Sequence, residues 1–303
     1  MDIVTVTYNP CVDVTRWVRE FGEAPYRTET QTGGKGVNCA RVITDLGGSA
    51  AAVCPLGGDT GTEFAEMAKA EGIKLAAVRC SKPTRVITTY ARERDYAQRV
   101  DYRKGEPLGD DEIIKIEETA LEECAKGARV LAVCGSVPDE KSAEGARSLL
   151  VKAKKLGVKT VLDSNGIALK TCAEALPDLI KPNEDELFFL TGERDISKAA
   201  AKLLEKGIGA VLVSLGGRGC MFASAGIEEY HPSIKVDAVN AVGSGDSFLG
   251  AFLYSSVNGA SLGEACVWAN AAGAANAMTF PAARIDRALV ERLMAQSGFS
   301  GVY

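Results

Sequence analysis

The chain of 303 residues contains 46% hydrophobic and 25% charged residues, which is ordinary for a folded globular protein and excludes a disordered chain. Its net charge of -5 does not favour nucleic acid or an anionic membrane as the main partner, although local positive sites can still hold an anionic small molecule. The single histidine, His231, argues against a histidine-based triad or a multi-histidine metal site, so we expect it to be structural.

Short β-rich runs alternate with helical patterns along most of the chain. The predicted strands of this alternation are residues 3–7, 51–55, 130–134, 160–163, 179–181 and 210–214. The predicted helices are residues 36–46, 62–70, 110–126, 142–156, 246–257 and 262–277. Strands that alternate with helices predict an α/β fold in which helices cover both faces of a mostly parallel sheet. Ligands then bind beyond the carboxyl ends of the strands.

Two segments interrupt the alternation, residues 11–32 and 84–103. Neither has a good helical pattern, residues 86–91 are rich in β-branched side chains, and residues 12–18 also look extended. We expect both segments to form one small β-sheet lid over an α/β core made of residues 1–10, 33–83 and 104–303. The alternative is that they add edge strands to the main sheet.

The nine cysteines are scattered and form no C-x-x-C pair, which is typical of small core residues rather than of a disulfide framework or a zinc site. The N-terminus lacks a basic region followed by an apolar block, the pattern of a signal peptide. No apolar run reaches the roughly 18 residues that span a bilayer. We therefore expect a cytoplasmic protein without a membrane partner.

The strongest local motif is the turn Gly243-Ser244-Gly245-Asp246, directly before an apolar helix. Small residues leave the backbone N–H groups at the helix N-terminus open to an anion. A carboxylate in the same turn suits a general base that takes a proton from a substrate hydroxyl while those N–H groups hold a transferring phosphoryl group. The motif alone leaves a second interpretation open, in which Asp246 only caps the helix.

A second glycine-rich turn, GGKGVN at residues 33–38, also opens a predicted helix. It is not a Walker A loop, and it is not a dinucleotide fingerprint because Cys39 stands where a glycine would be needed. Gly34 and Asn38 lie one helical turn apart, so close backbone approach and an amide group can serve one ligand such as a sugar. The alternative is a plain helix start with Lys35 in solvent.

Two weaker motifs follow. Asn183 and Glu186 share one face of a first helical turn, which suits a hydrated magnesium ion, although an ordinary helix cap explains the same spacing. Residues 214–219, SLGGRG, follow a strand and suit either a nucleotide-phosphate turn or a β-hairpin connection.

Taken together and in order, these motifs resemble the phosphofructokinase-B branch of the ribokinase-like sugar kinases over nearly the whole chain. The likeness rests on Asn9-Pro10 with Asp13, GGKGVN at 33–38, GGDTG at 57–61, Thr84-Arg85, GSVP at 135–138, KPNEDE at 181–186, SLG at 214–216 and GSGD at 243–246. The opening with Asn9-Pro10 and the GSVP segment are similar to the subgroup that phosphorylates hexose phosphates. The resemblance implies a three-layer α/β/α core with a small β-sheet lid.

The resemblance also implies roles for the matching residues. Asp246 would be the general base, and Gly243, Ser244 and Gly245 would form the anion hole. The residues that would contact the sugar phosphate are Asp13, Gly34, Lys35, Asn38, Arg85 and Ser136, with Arg85 gripping the existing phosphate. The residues that would serve ATP are Lys181, Asn183, Ser214, Gly216, Gly219 and Asn270. Asn183 and Glu186 would hold Mg²⁺ through water.

The function expected from the resemblance is ATP- and Mg²⁺-dependent phosphorylation of a hexose phosphate, foremost of fructose 1-phosphate to fructose 1,6-bisphosphate. The alternatives are a tagatose-6-phosphate kinase, a 6-phosphofructokinase, another sugar kinase of the family, or a sugar-phosphate sensor without catalysis. Residues 279–283 lie where related kinases can bind potassium, so a monovalent cation is a further candidate cofactor. The lid is expected to form a homodimer.

Overall fold

The computed structural model describes residues 2–296, so residues 1 and 297–303 of the predicted core lie outside the described residues. The strands within that range are β1 (Ile3–Val6), β2 (Cys11–Val18), β3 (Arg27–Gly33), β4 (Ala50–Leu56), β5 (Lys74–Arg79), β6 (Arg85–Arg92), β7 (Gln98–Asp101), β8 (Val130–Cys134), β9 (Lys159–Asp163), β10 (Leu179–Ile180), β11 (Ala210–Ser214), β12 (Gly219–Ser224) and β13 (Ile227–Pro232).

The helices match the predicted alternation and add several that the sequence patterns left unassigned. They are α1 (Lys35–Asp45), α2 (Gly58–Ala70), α3 (Asp110–Ala125), α4 (Glu140–Lys155), α5 (Gly166–Ala173), α6 (Glu184–Thr191), α7 (Ile196–Glu205), α8 (Ser244–Val257), α9 (Leu262–Ala277) and α10 (Arg287–Gln296). Helix α2 begins four residues before the predicted start, because the Gly57–Gly61 turn is itself part of the helix start. No helix among residues 2–296 is long and apolar enough to cross a membrane.

The main sheet has the strand order β13-β12-β11-β10-β9-β8-β1-β4-β5. Strands β5, β4, β1, β8, β9, β10 and β11 run parallel, and β12 and β13 add an antiparallel edge. Successive residues of β1 face opposite layers: Val4 and Val6 pack in the core with α3 and α4, whereas Ile3 packs in the core with α1 and α8. The predicted parallel sheet with helices on both faces is confirmed.

A separate sheet of order β3-β2-β6-β7 stands apart from the main one. Strand β2 pairs antiparallel with β3 and parallel with β6, although β2 and β6 come from distant parts of the chain. The expectation of a second, small β-sheet is thus confirmed, and the alternative of extra edge strands is wrong. The nine cysteines are all free and buried, as the scattered spacing predicts.

Candidate active site

A cavity of about 330 Å³ lies between the small sheet and the main sheet. Because side chains alternate along a strand, every second residue of two small-sheet strands faces it: Cys11, Asp13 and Thr15 on β2, and Arg85, Ile87 and Thr89 on β6. Residues just beyond the carboxyl ends of β1, β8 and β9 line the opposite wall, namely Thr7, Gly135, Ser136 and Asn165. This is the edge where a parallel α/β sheet places its ligands.

A second cavity, of about 520 Å³, lies beside the antiparallel edge of the main sheet. Its walls include Asn183, Ser214, Gly216, Gly219 and Asn270, which are five of the six residues predicted to serve the nucleotide. The two interpretations of residues 214–219 are both compatible with the structure. The segment connects the antiparallel strands β11 and β12, and its glycines face the cavity.

The turn at residues 243–246 separates the two cavities. Ser244 and Gly245 line the second cavity, whereas Asp246 lines the first. Gly243 caps α8 with a φ of 84°, and a Cβ at that position would lie 2.6 Å from the backbone nitrogen of Ala283. A side chain would clash there, so only glycine permits this turn. The turn places the N-terminus of α8, with its partial positive charge, between the two cavities.

The buried side chain of Asn276, on α9, braces the same turn. Its amide nitrogen donates to the carbonyl of Val242 and to the Ser244 hydroxyl, both at 2.9 Å. Its amide oxygen accepts from the backbone N–H of Ala283 at 2.6 Å. All three contacts hold the loop geometry that a hydrogen-bonding hole for an anion requires. The sequence patterns did not single out this asparagine, because it lies in the last turn of an apolar helix, outside the glycine-rich motifs.

Asp246 is buried in the wall of the first cavity, where Asn38 donates a hydrogen bond to it at 2.7 Å. Burial raises the pKa of Asp246 to about 6, and the positive charge of Lys35 and the Asn38 bond oppose that rise. A carboxylate with a pKa near neutral suits proton abstraction. Gly34 and Asn38, which the sequence predicts to face one ligand, line this cavity together with Asp246.

Asp163, at the end of β9, is a site residue that the motifs missed. Its carboxylate binds the ammonium groups of Lys35 at 2.9 Å and Lys181 at 3.3 Å. Burial alone would raise the pKa of Asp163, but Lys181 and Lys35 outweigh it and hold that pKa below its ordinary value. Burial likewise acts to lower the pKa of Lys35, yet Asp163, Asp246 and Glu186 together raise it. Lys35 therefore stays charged beside Asp246.

Asn183 and Glu186 form the helix cap that the sequence left as an alternative to a metal site. The Asn183 side chain accepts from the Glu186 N–H at 2.8 Å, and Glu186 Oε2 accepts from the Asn183 N–H at 2.9 Å. The other carboxylate oxygen, Oε1, lies 3.8 Å from the Lys35 ammonium. Within residues 2–296 no three His, Cys, Asp or Glu side chains are grouped to hold a metal ion.

Arg85 is fixed at the small-sheet end of the first cavity. Three of its N–H groups donate to the backbone carbonyls of Asn9 at 2.8 Å, Arg103 at 3.0 Å and Pro10 at 3.4 Å. The Asn9 amide in turn donates to the Ser136 hydroxyl at 3.2 Å. The guanidinium is therefore held in the cavity wall, near one other predicted residue of the sugar-phosphate set, Ser136.

The structure gathers most of the predicted site residues around these two cavities. The predicted sugar-phosphate residues Asp13, Gly34, Lys35, Asn38, Arg85 and Ser136 all line the first cavity together with Asp246. Lys181, Glu186 and Gly243 line neither cavity. Lys181 instead lies buried behind the turn, where a Cβ on Gly245 would be 3.8 Å from its ammonium nitrogen. The roles of all these residues stay predictions.

A three-layer α/β/α core, a separate small sheet and paired cavities at the carboxyl ends of the strands define the ribokinase-like class, and this predicted fold is confirmed. A family model described as "pfkB family carbohydrate kinase" matches residues 7–283. The chain belongs to the pfkB family of carbohydrate kinases, as the motifs predicted.

Curated relatives and solved structures agree with that membership. The ATP-dependent 6-phosphofructokinase isozyme 2 of Escherichia coli K12 is 32% identical over 286 residues, 90% of this chain and 91% of that protein. The 1-phosphofructokinase of Rhodobacter capsulatus is 30% identical over 272 residues, 86% of each chain. A crystal structure of phosphofructokinase-2 from E. coli in complex with potassium superposes with a TM-score of 0.89 at 28% identity, covering 98% of this chain and 99% of the other.

Proposed function

We propose that this protein transfers the γ-phosphoryl group of ATP to a hexose phosphate, foremost to fructose 1-phosphate to form fructose 1,6-bisphosphate. One observation carries the proposal. The N-terminal turn of α8 presents Asp246 to the first cavity and the Ser244–Gly245 backbone to the second. In-line phosphoryl transfer needs an acceptor and a donor on opposite sides of a group that stabilises negative charge.

In this proposal the acceptor hydroxyl lies against Asp246, whose carboxylate takes the proton as the oxygen attacks phosphorus. The bond from the γ-phosphorus to the bridging oxygen of ATP breaks, and ADP leaves. The backbone N–H groups of Gly243 and Gly245 and the charged Lys35 stabilise the transferring group, whereas the Ser244 N–H donates to the Ala241 carbonyl at 3.1 Å. The small sheet covers the cavity and excludes water, which would otherwise accept the phosphoryl group.

Magnesium would reach this site through water rather than by direct ligation. The cap bonds occupy Asn183 Oδ1 and Glu186 Oε2, but Glu186 Oε1 makes no cap bond and faces Lys35. That arrangement fits Mg²⁺ that keeps several waters and binds mainly to substrate phosphates. When bound, the ion would neutralise charge on those phosphates. Glu186 Oε1 and the Asn183 amide oxygen would accept hydrogen bonds from its hydration waters, while Lys35 and Lys181 would offset charge on the phosphates.

We also propose that the protein works in the cytoplasm as a homodimer through the small sheet. Exposed Tyr26, Val100 and Tyr102 on and beside that sheet, 48%, 54% and 58% accessible, are apolar surface that a second copy can cover. A monovalent cation near residues 279–283 is proposed because that loop packs on the anion-hole turn through Ala283.

A panel of acceptors tests the proposed substrate. A coupled assay of ADP release should give the highest kcat/KM with fructose 1-phosphate, above fructose 6-phosphate, tagatose 6-phosphate and free fructose. Arg85 and Asp246 line the same cavity, which is the reason to expect phosphorylated sugars above free fructose, and the rank of fructose 1-phosphate among them follows from the family resemblance. A preference for another phosphorylated sugar would assign that sugar as the acceptor in place of fructose 1-phosphate. A preference for free fructose would contradict the proposal that the acceptor is a hexose phosphate.

The rate should depend on pH through Asp246. Because the carboxylate is the active form and burial raises the pKa of Asp246 to about 6, protonation removes the base as pH falls below that value. We expect kcat/KM to fall roughly tenfold per pH unit below pH 6 and to be level from pH 7 to 8. Profiles with a phosphorylated and a free sugar separate the enzyme's titration from that of the substrate phosphate. A rate unchanged between pH 5 and 7 would contradict the assigned base.

A further inference from the structure

Arg41 is a fully buried arginine on α1, three residues after Asn38, and it has no place in the predicted site. Its guanidinium donates to Asn38 Oδ1 at 2.8 Å and to the Thr32 carbonyl and hydroxyl at 2.5 and 2.6 Å. It also binds the Glu71 carboxylate at 3.0 Å. Arginine suits this position because its rigid fork of five donors can satisfy several acceptors at once.

The contact with Arg41 decides which way the Asn38 amide points. Guanidinium nitrogens only donate, so the Asn38 atom that faces Arg41 must be the amide oxygen. The amide nitrogen then faces Asp246 and donates to Oδ2 at 2.7 Å. A flipped amide would set an oxygen against the carboxylate and a nitrogen against the guanidinium, two repulsive contacts in a buried place.

Glu71 anchors the guanidinium from the other side. Its two carboxylate oxygens also accept from the Thr32 N–H at 3.2 Å, the Thr32 hydroxyl at 2.6 Å and Arg284 at 2.8 Å. Thr32 lies near the end of β3, where the small sheet leads into α1. The chain from Glu71 through Arg41 and Asn38 to Asp246 therefore consists of charged or directed hydrogen bonds at every step.

We propose that Arg41 is a positioning residue for the general base, acting on Asp246 only through the orientation of the Asn38 amide. This inference rests on the proposed function, because it assigns Asp246 as the base. Arg41 touches no substrate in this scheme. Its guanidinium keeps the amide N–H directed at Oδ2, which leaves the other carboxylate oxygen to face the acceptor hydroxyl.

The first test does not require activity. Carbon-13 NMR titration of the Asp246 carboxyl in the free protein, assigned by its loss in Asp246→Asn, should show a higher midpoint in Arg41→Lys by about 0.5 to 1 pH unit, the value of one lost hydrogen bond. Lysine keeps the positive charge, but its ammonium has three donors where the guanidinium has five, and the Thr32 and Glu71 oxygens compete for them. The shift therefore reports the lost contact with Asn38 Oδ1 rather than a lost charge. The other titratable groups near Asp246, present in both proteins, are Lys35, Asp163, Lys181, Cys11, Cys39 and Cys134. An unchanged midpoint in folded Arg41→Lys would overturn the proposal.

The second test uses turnover and a double-mutant cycle. Arg41→Lys should lower kcat about tenfold in the wild-type background and change it less than twofold in the Asn38→Ala background. A purely structural role predicts the same factor in both backgrounds, and that result would also overturn the proposal. The acid limb of the kcat/KM profile should move to higher pH in Arg41→Lys, in step with the NMR midpoint.

Controls keep the test decisive. Arg287→Lys is a matched change, because Arg287 also donates to a carboxylate, Glu291, and to a carbonyl, that of Leu46, each at 2.8 Å, but lines neither cavity. It should leave the midpoint and kcat unchanged. If Arg41→Lys does not fold, the pair Arg41→Met with Glu71→Gln leaves no buried charge unpaired and is judged by the same midpoint. If the wild-type protein shows no turnover with any acceptor but Arg41→Lys still shifts the Asp246 midpoint, only the proposed function is refuted.

Discussion

Asp246→Asn is expected to lower kcat by about 10²- to 10⁴-fold, the usual contribution of general-base catalysis. Asparagine has nearly the shape of aspartate and can still accept the hydrogen bond that Asn38 donates at 2.7 Å. It cannot accept the proton of the acceptor hydroxyl. The binding of ATP should remain, because the second cavity does not include Asp246.

The stability of this variant should match or exceed that of the wild type. Asp246 is buried, and burial raises its pKa, so folding transfers a carboxylate into surroundings that disfavour its charge. The neutral amide avoids that cost. A coupled assay of ADP release gives kcat, and thermal unfolding gives the stability.

A matched control is Asp45→Asn, because burial also raises the pKa of Asp45, yet this residue lies at the far end of α1 and lines neither cavity. It should keep at least half of the wild-type kcat. If Asp246→Asn folds and retains more than a tenth of the wild-type kcat, Asp246 is not the base.

The parts of the site that could be predicted from the sequence are those built by neighbours in the chain. Four consecutive residues, 243–246, carry the conformational freedom, the open backbone and the carboxylate of the α8 turn. At α1, GGKGVN carries the conformational freedom, with Gly34 at a φ of 113°, and the open backbone, together with the Asn38 amide. Such turns depend on local sterics, so their composition alone indicates them.

Asp163 and Arg41 could not be found in that way, because their roles arise from pairing between distant segments. Asp163 meets Lys35 and Lys181 only because β9 lies between β8 and β10 in the sheet. Arg41 meets Glu71 across two helices that flank the same strands. One signal was available for Asp163: an acidic residue that ends a buried strand, at the ligand edge of a parallel sheet.

The individual strands β3 and β13 were also hard to predict from the sequence. Strand β3, with the sequence RTETQTG, is largely exposed, and β13 carries Glu228 and Glu229 at an open edge. Charged edge strands protect a sheet against pairing with other chains, but they lack the apolar alternation that identifies a strand. Their position depends on partners far away in the sequence, as in the parallel pairing of β2 with β6.

Arg85→Ala should raise the KM for phosphorylated acceptors by about 10- to 150-fold, the equivalent of roughly 1.5 to 3 kcal/mol for a charge-assisted hydrogen bond. The KM for ATP and the activity with a free sugar should change less than threefold. Three of the five guanidinium N–H groups already bind backbone carbonyls, and the other two make no hydrogen bond within residues 2–296. Those two donors can take a phosphate without moving the side chain.

The comparison of KM between phosphorylated and free sugars makes this prediction specific to phosphate binding. Loss of the three carbonyl contacts could loosen the small sheet, but that damage would act on free and phosphorylated sugars alike. Arg99→Ala is a matched control, because Arg99 is a small-sheet arginine that stacks on Phe21 at 4.3 Å and does not line the cavity. An equal rise in KM for both classes of acceptor would show that Arg85 only supports the sheet. A rise confined to phosphorylated sugars would place the phosphate at Arg85, and the reacting hydroxyl would then lie at the Asp246 end of the same cavity.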